Sequence, residues 1–234
     1  MVAYWHGISG HLTNGHGSSE TYQLAMYLID QYRGTCLSCR YTIPPRLAPA
    51  ESRAQLEEAV KSAVVDTIRR HPMLQVGMMD ATSKTPSWIQ LPSLDLTHHI
   101  KWPDLGEHDD LEQTVQDTFR AQLDDRFQDV SMKQPGWKMT IFRQGNAPIM
   151  EVLLTWNHPQ FDGAGAKVFH EDFLEMLNAE NGASERTGLD GDILTLPEPP
   201  PLLPTPIESV KSLPVDLSQG PRQSIVGGNS AAVS

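Results

Sequence analysis

The chain predicts an α/β (α+β) sandwich, an open mixed sheet with helices packed on it. Strand-like and helix-like segments alternate in no regular order, and no internal repeat is visible. Several segments carry apolar residues at every fourth position, as amphipathic helices do. One run, IMEVLLTW from Ile149 to Trp156, is nearly all apolar, which suits a central strand covered on both faces. With 39% strongly apolar residues in 234, the chain can build a sizeable core.

Taken in order, residues 1–18 are rich in Gly, Ser, His and Asn and read as a flexible arm. SETYQLAMYLIDQY then reads as a short helix capped by Ser18 or Ser19, with Tyr22, Met26 and Ile29 as its apolar stripe. Gly34 stops it, and TCLSCRYTI predicts a strand ending at Pro44-Pro45. That strand points Cys36 and Cys39 to opposite faces. Two cysteines without further soft ligands, and without a helix start, read as plain thiols in a reducing setting.

Ser52 with Gln55 reads as a capping box. Leu56, Val60, Val64 and Ile68 follow it as a helical stripe closed by Arg69-Arg70-His71-Pro72. MLQVGMM and PSWIQL predict a strand pair about the turn DATSKTP. Asp109 and Asp110 open a second helix with Leu111, Val115, Phe119 and Leu123 in step. WKMTIF places Trp137, Met139 and Ile141 on one strand face, and Gly145, Asn146 and Pro148 turn the chain into the apolar run. A third helix is expected from about 166 to 178, with Phe169, Phe173 and Leu177 in register.

Beyond it the composition changes. NGASERTGLDG is turn-like, and LPEPPPLLPTP, with six prolines in eleven residues, reads as an extended spacer. The expected organisation is a folded domain over 19–195, then a proline-rich crossover and disordered tail over 196–234.

A net charge of -11 weighs against a sequence-independent grip on nucleic acid, which needs clustered Lys and Arg. The first residues lack the basic start and apolar core of a secretory signal. No window approaches the roughly 20 apolar residues of a bilayer span. A cytoplasmic protein with no nucleic-acid and no membrane partner is the expectation.

NHPQFDG, Asn157 to Gly163, follows the apolar run directly. Pro159 forbids continuation of a central strand, and Gly163 and Gly165 allow close backbone approach before the helix. His158 is then expected on a rigid turn at the mouth of a crevice. A histidine there can take a proton from an alcohol or amine as it attacks a carbonyl. Asp162 could orient that ring or hold the turn by pairing with a distant arginine. A satisfied loop histidine beside an ordinary Asp-Gly turn stands as the other reading of the same residues. A metal site is not expected: Pro159 and the glycines oppose a helix that would bring His158 and Asp162 together, and His170, Glu171 and Asp172 belong to another element. No GxSxG elbow or phosphate loop occurs, and His98-His99 reads as surface or core filling.

The stretch NHPQFDGAGAKVFHEDFLEMLN resembles the HHxxxDG segment of the CoA-dependent acyltransferases and peptide-synthetase condensation domains, most of all the fungal alcohol acetyltransferase-like branch. SETYQLAMYLID, the strand ending at YTIP, RRHPMLQVG and PGWKMTIF come in the order such proteins have, so the resemblance covers roughly 18 to 205. It implies a chloramphenicol acetyltransferase-like half-fold, with His158 as general base, Asp162 mainly structural and Gly163 keeping a channel floor open. Asn157 stands where the first histidine of the motif would be. The implied reaction moves an acyl group, acetyl in the first instance, from a CoA thioester to a hydroxyl of a small molecule in secondary metabolism. Acyl-CoA is co-substrate and no cofactor is tightly bound. Family members carry two such halves about a tunnel, and this chain resembles the amino-terminal one. A partner chain, self-association or further sequence would then complete the site. A non-catalytic half that binds a ligand or protein, and a proton-transfer or cyclisation enzyme of the same superfamily, are the alternatives.

Overall fold

A computed structural model describes residues 19–83, 86–106, 108–124, 134–179 and 188–204. The expected arm over 1–18 and the tail beyond 204 lie outside the described residues. The elements are α1 (Ser19–Leu28), β1 (Gly34–Thr42), α2 (Arg53–Arg70), β2 (Val76–Met79), β3 (Ser87–Gln90), β4 (Ser93–Asp95), α3 (Leu96–His99), β5 (Ile100–Lys101), α4 (Leu111–Leu123), β6 (Trp137–Phe142), β7 (Ile149–Asn157), α5 (Gly163–Asn178), β8 (Leu189–Asp190) and β9 (Ile193–Thr195).

The main sheet has the order β1-β7-β6-β5. β7 pairs antiparallel with β1 and with β6, and β5 pairs parallel with β6, so the sheet is mixed. β2 and β3 form an antiparallel ribbon, and β4, β9 and β8 a small antiparallel sheet. The central place of β7 follows from its composition, because alternate residues of one strand must satisfy two apolar layers. Met150, Val152, Leu154 and Trp156 meet Val60, Val64 and Ile68 of α2 and Phe169 and Phe173 of α5. On the other face Leu153 joins Phe142, Val115 of α4 and half-buried Leu111, Phe119 and Cys36. Each such side chain contributes about 1.5–3 kcal/mol through burial. Cys39 packs on the first face and Cys36 on the second, as the strand period requires, and neither forms a disulfide.

The one charge in the apolar run is paired. Glu151 accepts from Arg40 Nε at 2.7 Å and from the Ser38 hydroxyl, while the other arm of Arg40 reaches Glu112 of α4 at 3.0 Å. On the opposite layer Arg70 at the end of α2 binds Asp172 at 2.9 Å and Glu175 at 2.7 Å on α5. His71 Nε2 lies 2.5 Å from Asp172. Those terminal residues therefore tie two helices together besides facing the negative end of their own helix.

Several local expectations change. In α1 the buried residues are Leu24 and Tyr27, whereas Tyr22 and Ile29 of the predicted stripe are exposed and Met26 is half-buried. The Ser52 hydroxyl makes no capping bond, because Ser52 closes a 3-10 turn and has φ -91° and ψ 6° rather than extended backbone. In α4 the inward position expected of Leu123 goes to Gln122, whose amide donates to Thr140 Oγ1 at 2.8 Å. α5 begins at Gly163, three residues ahead of the predicted start. Leu189–Asp190, within the stretch read as a turn, forms β8; it pairs with β9, which follows that stretch, closes onto β4 and buries Leu194, and Leu196 just beyond is also buried.

Candidate active site

β7 ends at Asn157, and the close approach of Gly136 there is possible because it lacks a side chain. Gly34 of β1 is the register partner of Asn157, whose backbone N–H donates to the Gly136 carbonyl at 2.8 Å. A Cβ on Gly136 would fall 2.4 Å from Asn157 Oδ1, so the side-chain amide occupies the space that the glycine leaves. Asn157 is fully buried, and neither atom of its amide has a hydrogen-bond partner among the described residues.

The next three residues make a tight turn stapled to the body. Gln160 N donates to the Asn157 carbonyl at 3.0 Å, and the buried Gln160 side chain accepts from Gly136 N at 3.2 Å. Its Nε2 donates to the carbonyls of Met73 and, at 3.3 Å, Val76. Trp156 Nε1 donates to the Phe161 carbonyl at 2.7 Å, and the two rings stack at 5.1 Å. Held from both sides, the turn leaves the His158 ring half-buried, with the Tyr32 ring 6.0 Å away at an interplanar angle of 36°. Among the described residues nothing hydrogen-bonds either nitrogen of that ring.

Asp162 has a different partner from the two offered by the residue reading. Its side chain accepts from Gly165 N at 2.8 Å as the N-cap of α5, and among the described residues no arginine reaches it and it does not bond the His158 ring. Gly165 is tight, since a Cβ there would lie 3.0 Å from Phe161 Cβ. Gly163 faces open space, with nothing within 4 Å of a Cβ built on it. Asn157, His158, Asp162, Gly163 and Gly165 lie in one short segment, and among the described residues no hydrogen bond joins one of their side chains to another.

Two other histidines are core residues. Nδ1 of His99 donates to the Trp137 carbonyl at 2.7 Å while the rings stack at 4.3 Å, and burial lowers its pKa to about 4. His170 Nδ1 and the Tyr41 hydroxyl are hydrogen-bonded at 2.7 Å, and burial likewise lowers the pKa of His170 to about 4. Burial raises the Tyr41 phenol well above its ordinary value. Among the described residues no three His, Cys, Asp or Glu side chains are grouped to hold a metal, and no helix is long and apolar enough to cross a membrane.

Tyr32, Gln160 and Gly136 are missing from the residue reading. Pro135-Gly136 before a strand signals a turn, but nothing local signals the contacts of the other two, which join segments far apart in sequence.

Solved structures with a similar arrangement include condensation domains. The first condensation domain of the calcium-dependent antibiotic synthetase is 17% identical, with a TM-score of 0.53 over 74% of this chain and 37% of that one. The starter condensation domain of the rhizomide synthetase, in complex with C8-CoA, is 14% identical, with a TM-score of 0.51 over 68% of this chain and 34% of that one. The fold is that of these condensation domains. In sequence the chain is similar to "Probable alcohol acetyltransferase FCK4" of Fusarium pseudograminearum, 24% identical over 77% of this chain and 37% of the relative. It is also similar to "Probable alcohol acetyltransferase crmB" of Aspergillus fumigatus, 23% identical over 88% of this chain and 45% of the relative. The chain thus spans less than half the length of these curated relatives. No family model matches it.

Proposed function

We propose that this chain is the amino-terminal half of an O-acyltransferase that moves an acyl group, acetyl in the first instance, from a CoA thioester to the hydroxyl of a small molecule. The observation that carries the reading is the half-buried His158 ring, held at the end of the central strand by a stapled turn, in a segment that resembles the superfamily's active-site motif. The two curated relatives named as alcohol acetyltransferases support the choice of donor and acceptor.

A ring nitrogen of His158 takes the proton of the acceptor hydroxyl as its oxygen attacks the thioester carbonyl. A new C–O bond forms, the C–S bond breaks as the tetrahedral intermediate collapses, and the thiolate leaves with the proton that His158 carried. Asp162 acts by fixing the start of α5 and hence the turn, because its side chain is committed to Gly165 N. Placement matters, since a displacement of about 1 Å can lower the rate roughly a hundredfold. The rest of a longer protein, a partner chain or a second copy supplies the other wall of the site, where exclusion of water strengthens these interactions.

Incubation with acetyl-CoA and a panel of small alcohols, with ester detected by mass spectrometry, tests the reading. Ester above the enzyme-free rate supports it. No ester with any alcohol sinks it for this chain and favours the second reading, a half that binds without catalysis. The specific observation behind that alternative is the short span relative to the curated relatives.

A further inference from the structure

The end of α1 is built with more care than a connecting loop requires. Asp30 has φ +64°, its N–H donates to the Tyr27 carbonyl at 3.1 Å, and Gln31 N–H donates to the Met26 carbonyl at 2.9 Å. These are the two bonds of a Schellman motif, with Asp30 at the left-handed position that glycine usually takes. Arg33 then forks onto the Asp30 carboxylate, at 3.0 Å through Nε and 3.2 Å through Nη2, and also lies 3.7 Å from Asp124. Tyr32 sits inside this clamp, its N–H donating to Met26 at 3.2 Å. Its ring flanks His158 at 6.0 Å yet remains 44% exposed.

A rigid loop that holds a large ring half in water, beside a histidine on a stapled turn, leaves that ring a face to pack. The flanking charges are engaged with each other, and Ile29, three residues earlier, is 63% exposed. The surface shown beside His158 is therefore the aromatic face of Tyr32. Building on the acyltransferase reading above, we propose that Tyr32 is a specificity-determining residue. Its ring packs on the apolar, preferentially aromatic, frame of the acceptor alcohol and directs the hydroxyl to His158. A ring-on-ring contact of this kind is worth about tenfold in affinity, and it depends on the ring face and not on the phenol hydroxyl.

The test compares the full chain with Tyr32→Phe and Tyr32→Ser. Binding of 2-phenylethanol and of glycerol is followed through the imidazole NMR signals of His158, assigned by their loss in His158→Gln. The expected result is that 2-phenylethanol shifts those signals in the wild type and in Tyr32→Phe, binds Tyr32→Ser about tenfold more weakly, and that glycerol shifts none of them. Equal affinity in all three forms, or no shift of the wild type by 2-phenylethanol, overturns the assignment. Acetyl transfer to the bound alcohol is read separately. Binding that depends on Tyr32 without transfer would leave the alcohol site standing and remove the acyltransferase reading.

Discussion

At the end of β7 single atoms decide what can be substituted. Gly136→Ala would force a Cβ to 2.4 Å from the Asn157 amide, which is itself enclosed, so neither group can yield without moving backbone. The expected cost is about 1–3 kcal/mol, read as a lower denaturant midpoint. Gly163→Ala has open space and no positive φ, and should leave the midpoint unchanged or slightly raised. Should Gly163 keep a substrate path clear, the same variant would lower activity in a protein of unchanged stability. Asp162 separates two roles in the same way. As a helix cap it should tolerate Asp162→Asn, whereas Asp162→Ala should lose about 1 kcal/mol, since Asn caps nearly as well as Asp and Ala does not. Equal losses in both variants, measured by thermal unfolding, would mean that the carboxylate charge does something the cap does not. The place of His158 on a turn was legible because an apolar run, a proline and two glycines mark a strand end with a turn after it. Tyr32 was not, because its nearness to His158 depends on how β1 and β7 pair, which no local pattern reports.

Helices with a clear four-residue stripe appear where the sequence places them, and α2 buries Leu56, Val60, Val64 and Ile68 together. β4, β5, β8 and β9 have two or three residues each, too few to carry a period, and they form because neighbouring strands offer them partners. α1 misled for another reason: its sequence has two apolar faces, and only packing determines that Leu24 and Tyr27 turn inward. The buried histidines belong to this scale, since α3 carries His99 and α5 carries His170. Both have folded-state pKa values of about 4, below the ordinary 6.5, so the unfolded chain binds protons more readily between those values. Stability is therefore fully present above pH 6.5 and falls as the pH drops toward 4, by about 1.4 kcal/mol per pH unit for each histidine. Urea unfolding at pH 7 and pH 5 should show this loss. His99→Asn, which can keep a donor toward the Trp137 carbonyl, should reduce the dependence; an unchanged slope would mean that His99 is not the group that titrates.

For the molecule as a whole, the mixed sheet presents a strand end and a turn, and the helices on its two faces hold them in place. Folding over the described residues accounts for where His158 sits. The chain spans less than half the length of its curated relatives. On the proposed acyltransferase reading the contribution of His158 can be isolated, because a positioned general base is worth about 10²–10⁴-fold in rate. The measurement that bears on it most directly is kcat/KM for thiol release from acetyl-CoA in the presence of 2-phenylethanol, compared between the wild type and His158→Ala, each confirmed folded by near-UV circular dichroism. A drop of at least about a hundredfold is expected; equal rates in the two proteins would contradict a base at His158.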